Sequence, residues 1–501
     1  MKRVLVANRG EIALRIIHGC FEEDLETVAV YSDADRGAPH VLAADQAVHI
    51  GESAPAESYL RIDRLLEAAK QSGADAVHPG YGFLSERAEF ADAVTRAGLT
   101  WIGPPARAIA AMGDKTAARK KMRDVGVPVV PGTVESVRTV DAAATAARTI
   151  GYPILVKAAA GGGGRGMRVV RAEAELAGAF EAAQGEAQKA FGDGRVYLER
   201  YLEGPRHVEI QILADQHGRV ISLGERECSV QRRHQKLIEE APSVAVTPAI
   251  RRAMSEAAVR AAQSVGYVSA GTCEFLLMPN GDFFFLEMNT RLQVEHPVTE
   301  QVYGVDIVRM QLKVAMGHHL SLPERALVPR GWSLECRITS EDPFDDFLPA
   351  GGTISDVHIP HGTGVRWDGW VERGSLVPLF YDSLLGKLIV WAESRERAIR
   401  RMRRALRDLA IVGVPSSREF HLRVMREPAF CRGEIDIGYW DRVGRDLMSA
   451  APEAALVEDA AVAAALLEEE RRSAARPPAG PAGRERSDWL GAARNEGLRR
   501  R

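Results

Sequence analysis

The 501-residue chain has few cysteines, only five, at 20, 228, 273, 336 and 431, and no Cys-x-x-Cys pair. Neither a disulfide framework nor a zinc knuckle is supported, and the pattern suits a reducing compartment. It has no excess of basic charge: 65 Lys and Arg stand against 68 Asp and Glu, a formal net charge of −3. A nucleic-acid or polyanion binder would carry a basic surplus. No run of apolar residues is long enough to cross a bilayer. The basic start MKRVLVANRG stops being apolar at Asn8, too soon for a secretory leader. No Gly-x-Gly-x-x-Gly follows the first strand-like run, so the dinucleotide fingerprint is missing. These absences leave the expectation of a cytosolic, soluble protein of ordinary globular composition, 46% hydrophobic and 27% charged. Its length implies two to four domains.

The pattern of what is present divides the chain into four segments. Residues 1–113 alternate apolar runs (Val4–Ala7, Thr27–Tyr31, Ala74–Val77, Trp101–Ile102) with amphipathic stretches near 11–23, 57–71 and 86–97. That alternation predicts a doubly wound parallel sheet. Residues 114–330 mix helical segments (115–125, 139–150, 172–190, 248–265) with strands that turn back on themselves, as Arg206–Ala214 does through Gln216-His217-Gly218 into Arg219–Leu223. This predicts a mixed α+β domain. Residues 331–445 read as mainly β, with strands at Trp332–Thr339, Thr353–Ile359, Gly364–Trp367 and Leu384–Trp391 and a basic helix at 394–409. Residues 446–501 form an Ala/Glu/Arg/Pro-rich tail, a solvated helix followed by a flexible linker.

Two constellations carry chemistry. Gly161, Gly162, Gly163, Gly164 and Gly166 flank Arg165 between two strands, with Lys157 just upstream. So glycine-rich a loop brings consecutive backbone N–H groups close to phosphate oxygens, but no Gly-Lys-Ser/Thr follows and it is not a Walker loop. Downstream, Thr272–Asn289 reads as two strands joined at Asn280-Gly281. A two-residue type I′ turn there sets Glu274 opposite Glu287 and Thr272 opposite Asn289. Facing carboxylates repel, and a hard divalent cation, magnesium or manganese, would remove that cost. Continued period-two alternation places Glu287, Asn289, Arg291, Gln293 and Glu295 on one face, unless a loop intervenes before Pro297. Arg291 could fork onto a planar oxyanion beside Glu295 as general base. The alternating His207-Val-Glu209-Ile-Gln211 and the basic string Gln231–Lys236 are plausible phosphate and ribose contacts next to such a pair.

Together these residues resemble the ATP-grasp fold, and within it the biotin carboxylase family. The strings that carry the resemblance are Ala7–Ala13, His78–Glu86, Met112–Lys115, Gly161–Met167, Pro205–Gln211, Cys228–Lys236, Glu287–Thr299 and Tyr381–Ser383, in order over about 1–445. The resemblance implies ATP- and bicarbonate-dependent carboxylation of biotin on a separate biotin carboxyl carrier protein, through carboxyphosphate. It implies that Lys115, Lys157 and the glycine loop hold the ATP phosphates, within a lid at about 131–203. Glu199 and Leu202 would frame the adenine, and His207, Gln231 and His234 would contact ribose or phosphate. Glu274, Glu287 and Asn289 would bind Mg²⁺ or Mn²⁺. Lys236 and Arg291 would hold bicarbonate, Glu295 would deprotonate it, and Arg337 would stabilise the biotin enolate, with Gln293 and Val294 beside them. Further expectations are carboxyltransferase partner subunits, a homodimer, and no nucleic-acid or membrane partner. The sequence departs from the common family pattern at Arg200, where Glu-Lys is usual; Arg keeps the charge but changes the donor geometry. No Met-Lys-Met carrier motif occurs, although Trp489–Arg499 resembles a segment that precedes the carrier in some longer subunits. The residues alone leave open a carboxylate–amine ligase and a non-catalytic nucleotide binder.

Overall fold

The structure is a computed structural model describing residues 1–133, 135–158, 167–322, 328–449 and 454–475. Met1–Met448 forms one compact unit and Ser449–Arg501 another. The described part of the second is the helix Ala454–Ala475, as the alanine-rich composition predicts. The carrier-preceding segment expected at Trp489–Arg499 lies outside the described residues.

Five parallel strands, β1 (Arg3–Val6), β2 (Glu26–Ser32), β3 (Gln46–Gly51), β4 (Ala76–His78) and β5 (Thr100–Trp101), make a sheet of order β3-β2-β1-β4-β5. Val4, Leu5 and Val6 are fully buried, as a central strand covered on both faces requires. The helix Gly10–Phe21 buries Ile12, Ala13, Ile16, Ile17 and Cys20, a stripe at helical spacing. The helix Ile62–Ser72 stops where Gly73 takes φ 66°. Strand order reverses beside β1, so the loops after β1 and β4 open a crevice at their carboxyl ends. Asn8 ties those loops together, its Nδ2 donating to the carbonyls of Pro79 and Tyr81 at 2.7 Å each. A side chain at Gly80 would crowd that amide, since a Cβ there would lie 2.9 Å from Nδ2.

Residues 131–203 contain a three-stranded antiparallel sheet, β6 (Ile154–Ala158), β7 (Arg168–Val170) and β8 (Val196–Arg200), in the order β7-β6-β8. The helices Val140–Ile150 and Leu176–Phe191 cover it and share its core, with Ala143, Ala147, Ile154, Val156, Phe180 and Leu198 all buried. The glycine loop between β6 and β7, Gly161 to Gly166, lies outside the described residues.

An antiparallel sheet of eight strands follows. It comprises β9 (Arg206–Ala214), β10 (Val220–Arg232), β11 (Gln235–Ala241), β12 (Ser269–Leu277), β13 (Phe283–Asn289), β14 (Trp332–Thr339) and two strands at Val365–Gly369 and Leu384–Ala392. Its order is β13-β12-β9-β10-β11-β14, then Leu384–Ala392 and Val365–Gly369. The β11–β14 pairing carries one sheet straight through residue 330, where the sequence suggests a domain boundary. The helix Pro248–Ser264, capped by Thr247, lays Met254, Ala257, Ala258, Ala261 and Ala262 on this sheet. Arg395–Asp408 buries Ala398, Ile399, Met402, Ala405 and Leu406 and exposes Arg397, Arg400, Arg404 and Arg407, while Arg395 turns in to pair with the buried Glu240 at 2.7 Å. The single strand expected at Thr353–Ile359 is instead two short ones. Gly352–Thr353 pairs with Leu376–Val377, and Asp356–His358 with Ala410–Val412. Among the described residues no helix is long and apolar enough to cross a membrane.

Candidate functional site

The β12–β13 hairpin sets Glu274 opposite Glu287 and Thr272 opposite Asn289, as predicted, but by a different route. The turn is not the two-residue Asn-Gly type. Gly281 N–H donates to Met278 and Met278 N–H to Asp282, which leaves a three-residue loop, Pro279 to Gly281, with Gly281 at φ 91°. That loop shifts Phe275, Leu276 and Leu277 by one residue, onto Phe285, Phe284 and Phe283. A bulge at Leu286 shifts the register back before the carboxylate pair. Phe285 uses its freed N–H on the carbonyl of Pro128 at 2.7 Å.

Registers across four strands then bring Glu287, Glu274, Glu209 and Arg226 into a single row. Lys236 reaches into this row from β11. Its Nζ donates to Glu209 at 2.5 Å, Glu274 at 2.9 Å and Glu295 at 2.6 Å. The shared ammonium pulls all three carboxyls down; it helps outweigh burial at Glu274 and Glu295, whereas at Glu209 burial prevails and the carboxyl is raised. Burial would raise the Glu274 carboxyl, but Lys236 and His207 hold it well below the carboxylate range. Burial depresses the Lys236 ammonium, but Glu209, Glu274 and Glu295 more than restore it. His207 Nε2 lies 2.9 Å from Glu274, and Gln231 Nε2 lies 2.7 Å from His207 Nδ1.

The period-two pattern from Glu287 to Glu295 breaks earlier than the alternation suggests. β13 ends at Asn289, and Glu295 is the N-cap of the helix His296–Tyr303. Pro297 near that helix start is the sequence signal for the break. The expected group converges nonetheless. Asn289 and Gln293 donate to Glu274 Oε1 at 2.8 and 3.2 Å, and Arg291 Nη1 donates to Gln293 at 2.8 Å. Glu295 is fully buried, with Lys236 on Oε1 and Arg337 Nη2 on Oε2 at 2.8 Å. Burial raises its carboxyl; Lys236, Arg337 and Arg226 outweigh burial and keep it ionised. Val294 contributes its carbonyl to Lys387 at 2.9 Å.

A second group lies around Lys115. It is 3.0 Å from Glu287, while Lys157 Nζ is 2.5 Å from Glu199, whose other oxygen meets Arg119. Leu202, just after β8, is half-buried. His234 sits at an exposed two-residue turn in which it and Arg233 take φ 64° and 50°. Among the described residues no hydrogen bond joins it to the rest of the predicted site, although burial and then Lys157 lower its pKa. Arg232 and Arg233 both engage Asp346, which ties the turn to the segment after β14.

Sequence reasoning gave Arg226, Glu239 and Glu86 no role, and placed Glu209 only among candidate phosphate and ribose contacts. Glu209 shares the row and Lys236; Arg226 backs it; Glu239 accepts from Arg337 Nε at 2.6 Å; and Glu86 accepts from Arg291 Nε and Thr290 N–H at 3.0 Å. The only local signal was Glu209 alternating with His207 and Gln211. Lys236, Arg291 and Arg337 also line a cleft of about 380 Å³, together with Glu11, Tyr81 and Tyr381. That cleft reaches the crevice beside β1.

A small antiparallel sheet with a glycine-rich sequence between two of its strands, next to a larger sheet with facing carboxylates and converging lysines, defines an ATP-grasp ligase. Three family descriptions match: "Biotin carboxylase, N-terminal domain" over residues 1–109, "Carbamoyl-phosphate synthase L chain, ATP binding domain" over 114–323, and "Biotin carboxylase C-terminal domain" over 335–442. One of the pyruvate carboxylase subunits of Methanothermobacter thermautotrophicus is 51% identical over 445 residues, 89% of this chain and 90% of that one. The biotin carboxylase of a Nostoc strain is 52% identical over 437 residues, 87% of this chain and 98% of that one. The crystal structure of the biotin carboxylase domain dimer of Hydrogenobacter thermophilus 2-oxoglutarate carboxylase, with MgADP, ADP and bicarbonate, is 45% identical. It superposes with a TM-score of 0.86 over 90% of this chain and 99% of that one. The chain belongs to the biotin carboxylase family, and it is an enzyme with biotin carboxylase activity.

Proposed function

We propose that the chain carboxylates biotin held on a separate carrier protein, as the first half-reaction of a multisubunit acyl-CoA carboxylase. The observation that carries this reading is the convergence of Lys236 and Arg337 on the buried Glu295, beside Arg291 and an open cleft. In this reading ATP lies between the two sheets, with Lys115, Lys157 and the glycine loop at its phosphates, Glu199 and Leu202 at its adenine, and His207, Gln231 and His234 at ribose or phosphate. The donor set of Glu274, Glu287 and Asn289 is all hard oxygen, and the first two face each other across the hairpin. That set fits magnesium or manganese, which would neutralise charge on the phosphates when bound. The Hydrogenobacter structure holds MgADP and bicarbonate on a related domain, which supports ATP, magnesium and bicarbonate as the ligands here.

Bicarbonate seats between Lys236 and Arg291. Its oxygen attacks the γ-phosphorus, the bond to ADP breaks, and carboxyphosphate results. An anion there competes for Lys236, loosening the hold on Glu295 and raising its basicity, so Glu295 takes the bicarbonate proton. Carboxyphosphate splits into carbon dioxide and phosphate. The phosphate takes the proton from the biotin ureido nitrogen, which then captures carbon dioxide while Arg337 stabilises the enolate. Biotin enters through the cleft, beside Gln293 and Val294. Residues 131–203, with a core of their own, act as the lid that keeps water from carboxyphosphate.

We assign the carrier and the carboxyltransferase to other chains. The Hydrogenobacter domain is a dimer, and we assign the same state here. The Methanothermobacter relative favours a second reading, in which the final acceptor is pyruvate instead of acetyl-CoA or another acyl-CoA. The reading predicts that ADP release from ATP, magnesium and bicarbonate rises severalfold on adding free biotin. ADP release indifferent to biotin would contradict it.

A further inference from the structure

The β11–β14 register sets Glu239 directly opposite Glu335. Both are fully buried, under the helix His296–Tyr303. Glu239 uses one oxygen, Oε1, to accept from Arg337 Nε at 2.6 Å. Its Oε2 and both oxygens of Glu335 have no hydrogen-bond partner among the described residues. Arg337 thus stands between two carboxylates, Glu239 behind it and Glu295 ahead of it at 2.8 Å.

The groups around this pair come from every neighbouring element. They are Cys228 on β10, Lys236 on β11, Cys336 and Arg337 on β14, Lys387 on Leu384–Ala392 and Glu295 at the helix N-cap. Their cations are already committed. Lys236 serves Glu209, Glu274 and Glu295; Arg337 serves Glu239 and Glu295; Lys387 serves the Val294 carbonyl and lies 3.2 Å from Glu11. None of them donates to Glu335. Like charges directly opposite in a sheet repel, and an unpaired buried charge is neutralised sooner than tolerated.

We propose that Glu239 is the positioning residue for Arg337, and that Glu335 opposite it is held as the neutral acid, so that the pair carries one negative charge. The register sets that acid directly across the sheet from Glu239, whose Oε2 is unpartnered. Burial, which pushes the Glu239 carboxyl up to about 7 against the pull of Arg337, and the Glu335 carboxyl well above its usual range, supports this arrangement. One charge behind Arg337 fixes the guanidinium without drawing it away from Glu295. A second would compete with Glu295 for it.

The role of Arg337 in turnover rests on the function proposed above, so one readout is independent of turnover. Infrared difference spectra at pH 7 between the wild-type chain and Glu335→Gln are expected to show the C=O stretch of a protonated carboxyl, present in the wild type and absent from the variant. No such difference band would overturn the neutral-acid assignment, whatever the enzyme turns over. For positioning, Glu239→Gln is expected to lower kcat of biotin-stimulated ADP release at least tenfold, with KM for ATP within twofold. The same change in an Arg337→Lys background is expected to cost less than twofold, because the group being positioned is already altered. An unchanged kcat in Glu239→Gln, or an equal loss in both backgrounds, would overturn the positioning role. Should Glu239→Gln fail to fold, Glu239→Asp is measured against the same two criteria.

Discussion

Glu295→Gln is expected to lower biotin-stimulated ADP release by about 10²- to 10⁴-fold, the range for removing a positioned general base. The change is close to isosteric, and the site is built so that only chemistry is lost. Lys236 keeps Glu209 and Glu274 as partners, and Arg337 keeps Glu239. Neither cation is left buried and alone, which is what usually makes such a change unfold a protein. The glutamine carbonyl can still accept one of the two hydrogen bonds that Glu295 accepts now, but it cannot take a proton from bicarbonate. Turnover within tenfold of the wild type, at an unchanged unfolding temperature, would show that the base is elsewhere.

Arg226→Ala is expected to destabilise the chain by about 3–5 kcal/mol, the range for breaking a buried ion pair from one side. Arg226 is fully buried and spends its guanidinium on three elements. It donates to Glu209 at 2.5 Å and Gln211 at 2.6 Å on β9, to Thr272 at 3.0 Å on β12, and to Thr299 at 2.9 Å on the helix behind the site. Alanine would leave a cavity and orphan four acceptors at once. Glu209 would then depend on Lys236 alone and pull it from Glu274 and Glu295. Arg226→Lys would not restore the site, since an ammonium cannot reach four partners in the guanidinium plane. Denaturant titration reads the loss, and a change below about 1 kcal/mol would mean that the row is held by packing instead of by Arg226.

How much was legible follows from where each partner lies in the chain. β1 and the helix Gly10–Phe21 show in the sequence because local burial imposes its own period. β3 does not, because as an edge strand it buries only Ile50 fully within Gln46–Gly51. The Glu274–Glu287 pair was legible from Asn280-Gly281, yet the pairing is right only because the bulge at Leu286 cancels the longer loop. The end of β13 was misleading, since Arg291–Glu295 alternates like a strand while Pro297 marks a helix start. Glu209, Arg226, Glu239 and Glu335 were not legible as a set. Their meaning depends on the β9–β12, β9–β10 and β11–β14 registers, and two of those pairings join segments some 60 to 100 residues apart. No local period encodes which residue will stand opposite.

The most direct measurement is transfer of label from bicarbonate to a biotinylated carrier domain added as a separate protein, with ATP and magnesium. The account predicts acid-labile label on the carrier that requires ATP and disappears when the carrier lacks biotin. ADP formation with no label on the carrier, or label found on this chain instead, would contradict it.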